Sequence, residues 1–115
     1  MTNWDVKLGR QAEADLRETF EYIALTLLEP GIAEKLIQRI EAKISKLSVM
    51  PQSYAVYPKE PWKSRGLRRV NAGKYAIFFI PDKTYHDVVV IRVIYGGRDI
   101  EQILEDTEVS VDSTD

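Results

Sequence analysis

Positively charged side chains are concentrated in one short segment of this sequence. Between residues 59 and 74 the only acid is Glu60, against six cations: Lys59, Lys63, Arg65, Arg68, Arg69 and Lys74. Cations held close together repel one another unless an anion or an acidic partner neutralises them. Together with two later arginines they predict a basic face that binds an anionic partner through Lys63, Arg65, Arg68, Arg69, Lys74, Arg92 and Arg98.

The same residue types could also cleave RNA. Attack by a ribose 2′-hydroxyl needs a group that removes a proton, a group that donates one, and cations aimed at the phosphorus. Candidates for this chemistry are the carboxylate of Glu60, the phenol of Tyr95, and the cations Arg68, Lys74 and Arg98. A phenol with a pKa of about 10 is a poor base at neutral pH unless nearby cations lower that pKa.

Structural roles are alternatives for several of these residues. Exposed charge at Arg68, Arg69 and Lys74 would protect an edge strand against pairing with another sheet. Trp62 could stack on a nucleic-acid base, although a tryptophan in such a loop more often anchors the loop to the core, and we predict the second role. Asp99 could accept backbone N–H groups as the cap of a short helix.

Composition limits the fold and excludes several kinds of site. The 115 residues allow one domain of ordinary globular composition, with 44% hydrophobic residues. The chain has no cysteine and a single histidine, so we predict no disulfide, no metal site and no cofactor. The N-terminus lacks the pattern of a signal peptide, and no apolar run approaches the length that spans a bilayer. We therefore expect a cytoplasmic protein with no membrane partner.

Charge is distributed unevenly along the chain. Residues 99–115 contain seven acids and neither lysine nor arginine, whereas the whole chain has a net charge of -2, so residues 1–98 carry +5. We predict one domain over residues 1–105 and a disordered acidic tail over residues 106–115. The tail could serve as a solubilising extension, or it could fold back and screen the basic face.

Hydrophobic periodicity predicts one strand and two helices in the first half of the chain. Trp4, Val6 and Leu8 alternate with polar residues, as in a strand with one buried face. Two stripes at spacings of three and four residues then predict helices that end near Pro30 and Pro51 and form an antiparallel hairpin. The stripes consist of Ala12, Leu16, Phe20, Ile23 and Leu27, then Ile32, Leu36, Ile40, Ile44 and Leu47.

The second half of the chain reads as an ordered loop followed by three strands. Residues 52–66 lack periodicity, whereas residues 67–71, 74–80 and 88–95 are rich in β-branched and aromatic residues and are separated by short turns. Ile100, Ile103 and Leu104 predict one terminal helical turn. The fold class is thus α+β with the order β-αα-β-β-β(-α), in which a helical hairpin covers one face of a small antiparallel sheet and the other face is open and basic.

Several motifs, taken together, resemble the toxins of the RelE/ParE superfamily. The similarity extends over residues 3–105, and the motifs occur in the order and at the spacing of that family. They are Ala-Glu-Ala-Asp-Leu at 12–16, Glu-Tyr-Ile at 21–23, Leu-x-x-Met-Pro at 47–51, Gly-Leu-Arg-Arg-Val at 66–70, Gly-Lys-Tyr-Ala-Ile-Phe-Phe at 73–79, and Val-Ile-Arg-Val-Ile-Tyr-Gly-Gly-Arg-Asp at 90–99.

The resemblance implies the toxin of a type II toxin-antitoxin module for plasmid stabilisation or growth control. Its partner would be a cognate antitoxin that wraps over it in a hetero-oligomer. RelE-like members cut mRNA on the ribosome, whereas ParE-like members inhibit DNA gyrase without being nucleases. Arg98 matches an arginine of the RNases, but Tyr75 stands where they carry another, and no tyrosine follows Tyr95. The sequence is closer to ParE-like toxins, with the mRNA endonuclease as the alternative and an inactive interaction module as the second alternative.

Overall fold

Four strands form one sheet in the computed structural model, which describes residues 3–107. The strand order is β1-β4-β3-β2, and the three later strands pair antiparallel through short connections, as predicted. The elements in chain order are β1 (Asp5–Leu8), α1 (Arg10–Glu21), α2 (Pro30–Ser45), β2 (Arg68–Ala72), β3 (Tyr75–Asp82), β4 (Asp87–Tyr95) and α3 (Ile100–Glu105).

The first strand differs from the prediction in its direction. β1 pairs parallel with the first half of β4, from Asp5 opposite Asp87 to Leu8 opposite Val90, so a wholly antiparallel sheet was wrong. Hairpin turns fix the direction of β3 and β4, whereas a helical hairpin separates β1 from β2 and permits either direction. Because β1 is short, the second half of β4 has no strand neighbour on that side among the described residues.

The predicted helical hairpin is confirmed, and it packs on one face of the sheet. Ala12 and Leu16 of α1 and Ile40 of α2 are buried against Phe79 and Val90 of the sheet. Burying a side chain of this size stabilises the fold by about 1.5–3 kcal/mol relative to leaving it in water. A π-helical turn, Tyr22–Thr26, continues α1 toward the hairpin tip, and α2 begins at a proline in its first turn.

Both apolar stripes extend beyond the part of the hairpin that the sheet covers. Phe20, Leu27 and Ile32 are 37%, 50% and 57% exposed. Leu25 and Leu28, outside the stripes, are more exposed still, at 69% and 76%. The tip of the hairpin therefore presents apolar surface to solvent. The 105 described residues contain no helix that is both long enough and apolar enough to cross a membrane.

The other face of the sheet is covered rather than open, which corrects the prediction. Tyr57 and Trp62 from the loop, Leu67, and Leu104 of α3 form a second core with residues that include Phe78. The reason is that β3 is apolar on both faces, so each face must be buried. The prediction that Trp62 anchors its loop is confirmed, since only 5% of its surface is exposed.

A bulge in β4 changes which side chains face the hairpin. Phe78 pairs with Arg92 and Phe79 with Val90, so Ile91 is an extra residue in β4. As a result, the side chain of Val93 faces the helices and joins their core. The side chain of Arg92 lies at the free edge of β4, where it contacts Asp15 of α1.

The short C-terminal helix forms as predicted. The side chain of Asp99 caps α3 by accepting the backbone N–H of Gln102 at 3.2 Å. After the helix, Thr107 is buried and donates its hydroxyl to the Ile103 carbonyl at 2.6 Å. Residues 108–115, most of the predicted acidic tail, lie outside the described residues.

Candidate functional site

A groove of about 520 Å³ lies between the end of α1 and the free edge of β4. Its walls combine apolar side chains of the hairpin, two tyrosines and a few charged groups. The lining residues are Asp15, Glu18, Thr19, Tyr22, Ile23, Leu27, Tyr75, Arg92, Val93, Ile94, Tyr95, Arg98 and Ile103. A concave apolar surface with a few polar groups is typical of a binding site.

A partly buried ion pair builds one wall of this groove. The guanidinium of Arg92 donates from Nε and Nη2 to the two carboxylate oxygens of Asp15, both at 2.8 Å. The same carboxylate accepts the backbone N–H of Val93 at 2.8 Å, which gives this N–H group at the free edge of β4 a hydrogen-bond partner. Hydrogen bonding to Asp15 raises the pKa of Arg92, although partial burial opposes this change. Arg92 is therefore committed to an internal contact instead of the predicted basic face.

Two tyrosine rings form the inner end of the groove. The rings of Tyr75 and Tyr95 are 5.5 Å apart between centroids and inclined by 59°. Burial raises the pKa of Tyr75, and the neighbouring Tyr95 raises it further, against a hydrogen bond with Thr19 that lowers it. A phenol with a raised pKa stays protonated at neutral pH, so Tyr75 is not suited to act as a general base.

The phenol of Tyr75 should be among the last of the six tyrosines to ionise. In a spectrophotometric titration, Tyr75→Phe is expected to remove amplitude from the part of the curve above about pH 10. Because the fold raises this pKa, Tyr75 contributes stability at pH values below the phenol pKa of the unfolded chain. That contribution is lost as the pH rises through the phenol pKa of the folded chain. Tyr85→Phe, which changes an exposed ring, controls for the loss of one phenol. An unchanged alkaline limb in Tyr75→Phe would contradict the raised pKa.

A second, smaller concavity of about 280 Å³ lies on the other side of Tyr95. We call it the basic cleft, and its lining residues are Arg69, Asn71, Gly73, Lys74, Tyr95, Gly96 and Gly97. Arg69 donates from Nε to Asn71 Oδ1 at 3.1 Å, and its guanidinium carbon lies 5.5 Å from the ring centre of Phe78. The cleft thus contains two of the predicted cations and the predicted phenol.

Tyr95 lines both the groove and the basic cleft, and the absence of a side chain at Gly97 leaves room for its ring. A Cβ atom at Gly97 would lie 2.6 Å from Cε2 of the Tyr95 ring. The ring therefore packs directly on bare backbone, and it is still 42% exposed. Arg98 lies on the groove side of this ring, apart from Arg69 and Lys74.

The remaining predicted residues do not line either concavity. Arg68 donates from Nη1 to the Tyr54 carbonyl at 2.6 Å, and its Nε is buried without a partner among the described residues. Glu60 accepts the backbone N–H and the hydroxyl of Ser64, both at 2.9 Å, and these bonds lower its pKa. These contacts support a structural role for both residues.

Two further predicted cations belong to the loop that covers the sheet. Lys63 and Arg65 are exposed there, and the Arg65 guanidinium carbon lies 5.1 Å from the ring centre of Trp62. Neither residue lines the groove or the basic cleft. The predicted basic segment therefore does not fold into one continuous site.

The groove contains functional candidates that the sequence analysis assigned to other roles. Leu27 was placed in the core stripe, and Asp15 and Tyr22 were noted only as parts of motifs. The signal for Leu27 was present, because the apolar stripe of α1 is longer than a four-stranded sheet can cover. No comparable signal exists for Asp15, whose partner Arg92 is 77 residues away.

The comparisons with known proteins agree with this architecture. A model of the family described as ParE toxin of type II toxin-antitoxin system, parDE, matches residues 6–100. The fold is similar to a chain of the chromosomal ParDE system from P. aeruginosa, with a TM-score of 0.66 and 22% identity over 80% of this chain and 95% of that chain. It is also similar to a chain of the RelBE2 toxin-antitoxin complex from Mycobacterium tuberculosis, with a TM-score of 0.56 and 21% identity over 81% and 98%. No curated protein matches the sequence.

Proposed function

Because this chain belongs to the ParE toxin family of type II toxin-antitoxin systems, we propose that it inhibits DNA gyrase by binding it. The observation that carries this proposal is the family match over residues 6–100, which includes every lining residue of the basic cleft and all those of the groove except Ile103. The poor fit of its side chains to a cleavage mechanism supports a toxin that acts by binding.

The alternative is an mRNA endonuclease that acts on the ribosome, and one observation favours it. Arg69, Lys74 and Tyr95 converge in the basic cleft, where they could hold a phosphate. Cleavage would also need a proton acceptor. Glu60 is bonded to Ser64 and lines neither concavity, so no carboxylate among the lining residues of the cleft is available to accept a proton. The side chains around the cleft therefore suit anion binding better than cleavage.

We further propose that the cognate antitoxin binds in the groove. Leu27 and Tyr22 are about half exposed on its hairpin side, at 50% and 56%, an arrangement that a partner would bury. On its sheet side the edge of β4 that faces away from β3 has no strand partner beyond Val90 among residues 3–107, and Val93 directs its N–H from this edge to Asp15. Alternation along a strand then directs the N–H of Tyr95 outward as well, so an extended antitoxin segment could pair with this edge.

Two parallel assays on the purified chain test the proposed target. We expect the chain to block DNA supercoiling by gyrase and to leave mRNA intact on translating ribosomes. Unchanged supercoiling at a large molar excess of the chain would contradict the proposal. New mRNA 5′ ends within codons would identify the endonuclease instead, and expression without any effect on growth would support the inactive interaction module.

A further inference from the structure

A third cation, on the helical hairpin, lies beside the basic cleft. Arg39 lies on the exposed side of α2, and a Cβ atom at Gly73 would be 3.1 Å from its Nη1. Gly73 lines the cleft and turns the chain between β2 and β3 with a φ of +59°, which favours glycine. Arg39 of α2 therefore lies near the turn of the β2–β3 hairpin that carries Arg69 and Lys74.

These three cations have no acidic partner among residues 3–107. The ion pairs within that range join Lys7, Lys59 and Arg92 to acids elsewhere. Arg39 and Lys74 are exposed, and Arg69 uses its Nε for Asn71, a neutral group. Two positive charges in the cleft and a third beside its turn, with no carboxylate among the lining residues, create a site that an anion would stabilise.

The shape of the cleft fits a phosphate group. Gly73, Gly96 and Gly97 contribute no side chains to the cleft, so an anion there would face mainly the cationic side chains. At about 280 Å³ the cleft is small, and its one aromatic ring, Tyr95, is covered in part by the backbone of Gly97. The chemistry therefore favours contact with a phosphodiester over recognition of a base.

We propose that the basic cleft binds a phosphodiester of double-stranded DNA through Arg39, Arg69 and Lys74. This inference rests on the proposed function, because gyrase holds DNA and a bound inhibitor could contact protein and DNA together. Tyr95 separates the cleft from the groove, so the DNA contact is distinct from the proposed antitoxin contact. Such a contact is independent of sequence and weakens as salt concentration rises.

Fluorescence anisotropy with a short DNA duplex tests the proposal on the full chain. At about 50 mM salt we expect Arg39→Gln and Lys74→Gln each to weaken binding roughly fivefold to tenfold, and each to lower the salt slope by about one. Arg17→Gln is the matched control, since Arg17 is an exposed arginine of α1 that neither lines a concavity nor lies beside Gly73. Unchanged melting temperatures would show that all three variants fold.

Three results would overturn the proposal: no binding of duplex, equal losses in Arg17→Gln and Lys74→Gln, or tighter binding of single-stranded RNA of the same length. The supercoiling assay separates this proposal from the function on which it rests. A chain that inhibits gyrase but does not bind duplex contradicts only the cleft proposal. A chain that binds duplex through Arg39 and Lys74 but does not inhibit gyrase contradicts only the gyrase proposal.

Discussion

Replacing Leu27 with glutamate is expected to weaken binding of the cognate antitoxin by about 100-fold. Leu27 lines the groove on its hairpin side and is 50% exposed, so a docked segment would bury it. A carboxylate at this position would have to lose its water within an apolar contact. Losses of about 2–4 kcal/mol are typical for the central residues of an interface, and each 1.4 kcal/mol corresponds to a tenfold change in affinity.

Titration calorimetry with the cognate antitoxin would measure the change. Leu25→Glu is a matched control, because Leu25 is the same residue type on the same helical turn but does not line the groove. It is 69% exposed, so the control places charge on the hairpin tip without entering the proposed contact. Equal losses in both variants would indicate that the antitoxin covers the whole tip, and no loss in Leu27→Glu would exclude the groove.

Periodicity predicted the elements of the fold well, because each element must bury an apolar face. Ala12, Leu16, Ile40 and Ile44 all lie in the core under the hairpin, as their spacing indicated. Periodicity does not say what covers a face, however. The same reasoning assigned Leu27 to the core, although no element of the described chain covers it.

The direction of each side chain was harder to predict than the helices and strands were. For this reason the sequence grouped cations into one site that the fold separates. Arg68 and Arg69 are adjacent in β2, so alternation sends their side chains to opposite faces. Arg68 consequently contacts Tyr54 beside the hairpin core, while Arg69 contacts Phe78 in the second core. A segment rich in cations thus becomes two surfaces once it forms a strand.

Long-range contacts account for the other differences. The bulge at Ile91 shifts Arg92 away from the position that regular alternation would give it, and nothing in the local sequence marks the bulge. Arg39 belongs to α2, outside the basic segment, and its guanidinium lies beside the basic cleft near Gly73. Such placements depend on how the hairpin packs on the sheet and not on local patterns.

Removal of the Asp15 carboxylate should have the largest effect on stability. In Asp15→Ala, the guanidinium of Arg92 and the N–H of Val93 both lose their acceptor. The Arg92 and Asp15 side chains are only 17% and 10% exposed, so water can replace little of what is lost. Breaking one partner of a buried pair costs about 3 kcal/mol or more, a large part of the about 5–15 kcal/mol that stabilises a typical domain.

Urea unfolding of Asp15→Ala would measure this loss as a lower midpoint at an unchanged slope. Glu13→Ala is the control, since Glu13 is exposed on the same helix and the substitution has the same effect on helix propensity to within a few tenths of a kcal/mol. A loss below about 1 kcal/mol in Asp15→Ala would mean that Arg92 turns to solvent and that the carboxylate is not needed to hold the groove wall. A large loss would instead tie the shape of the proposed antitoxin site to the stability of the fold, because one carboxylate joins α1 to the free edge of β4.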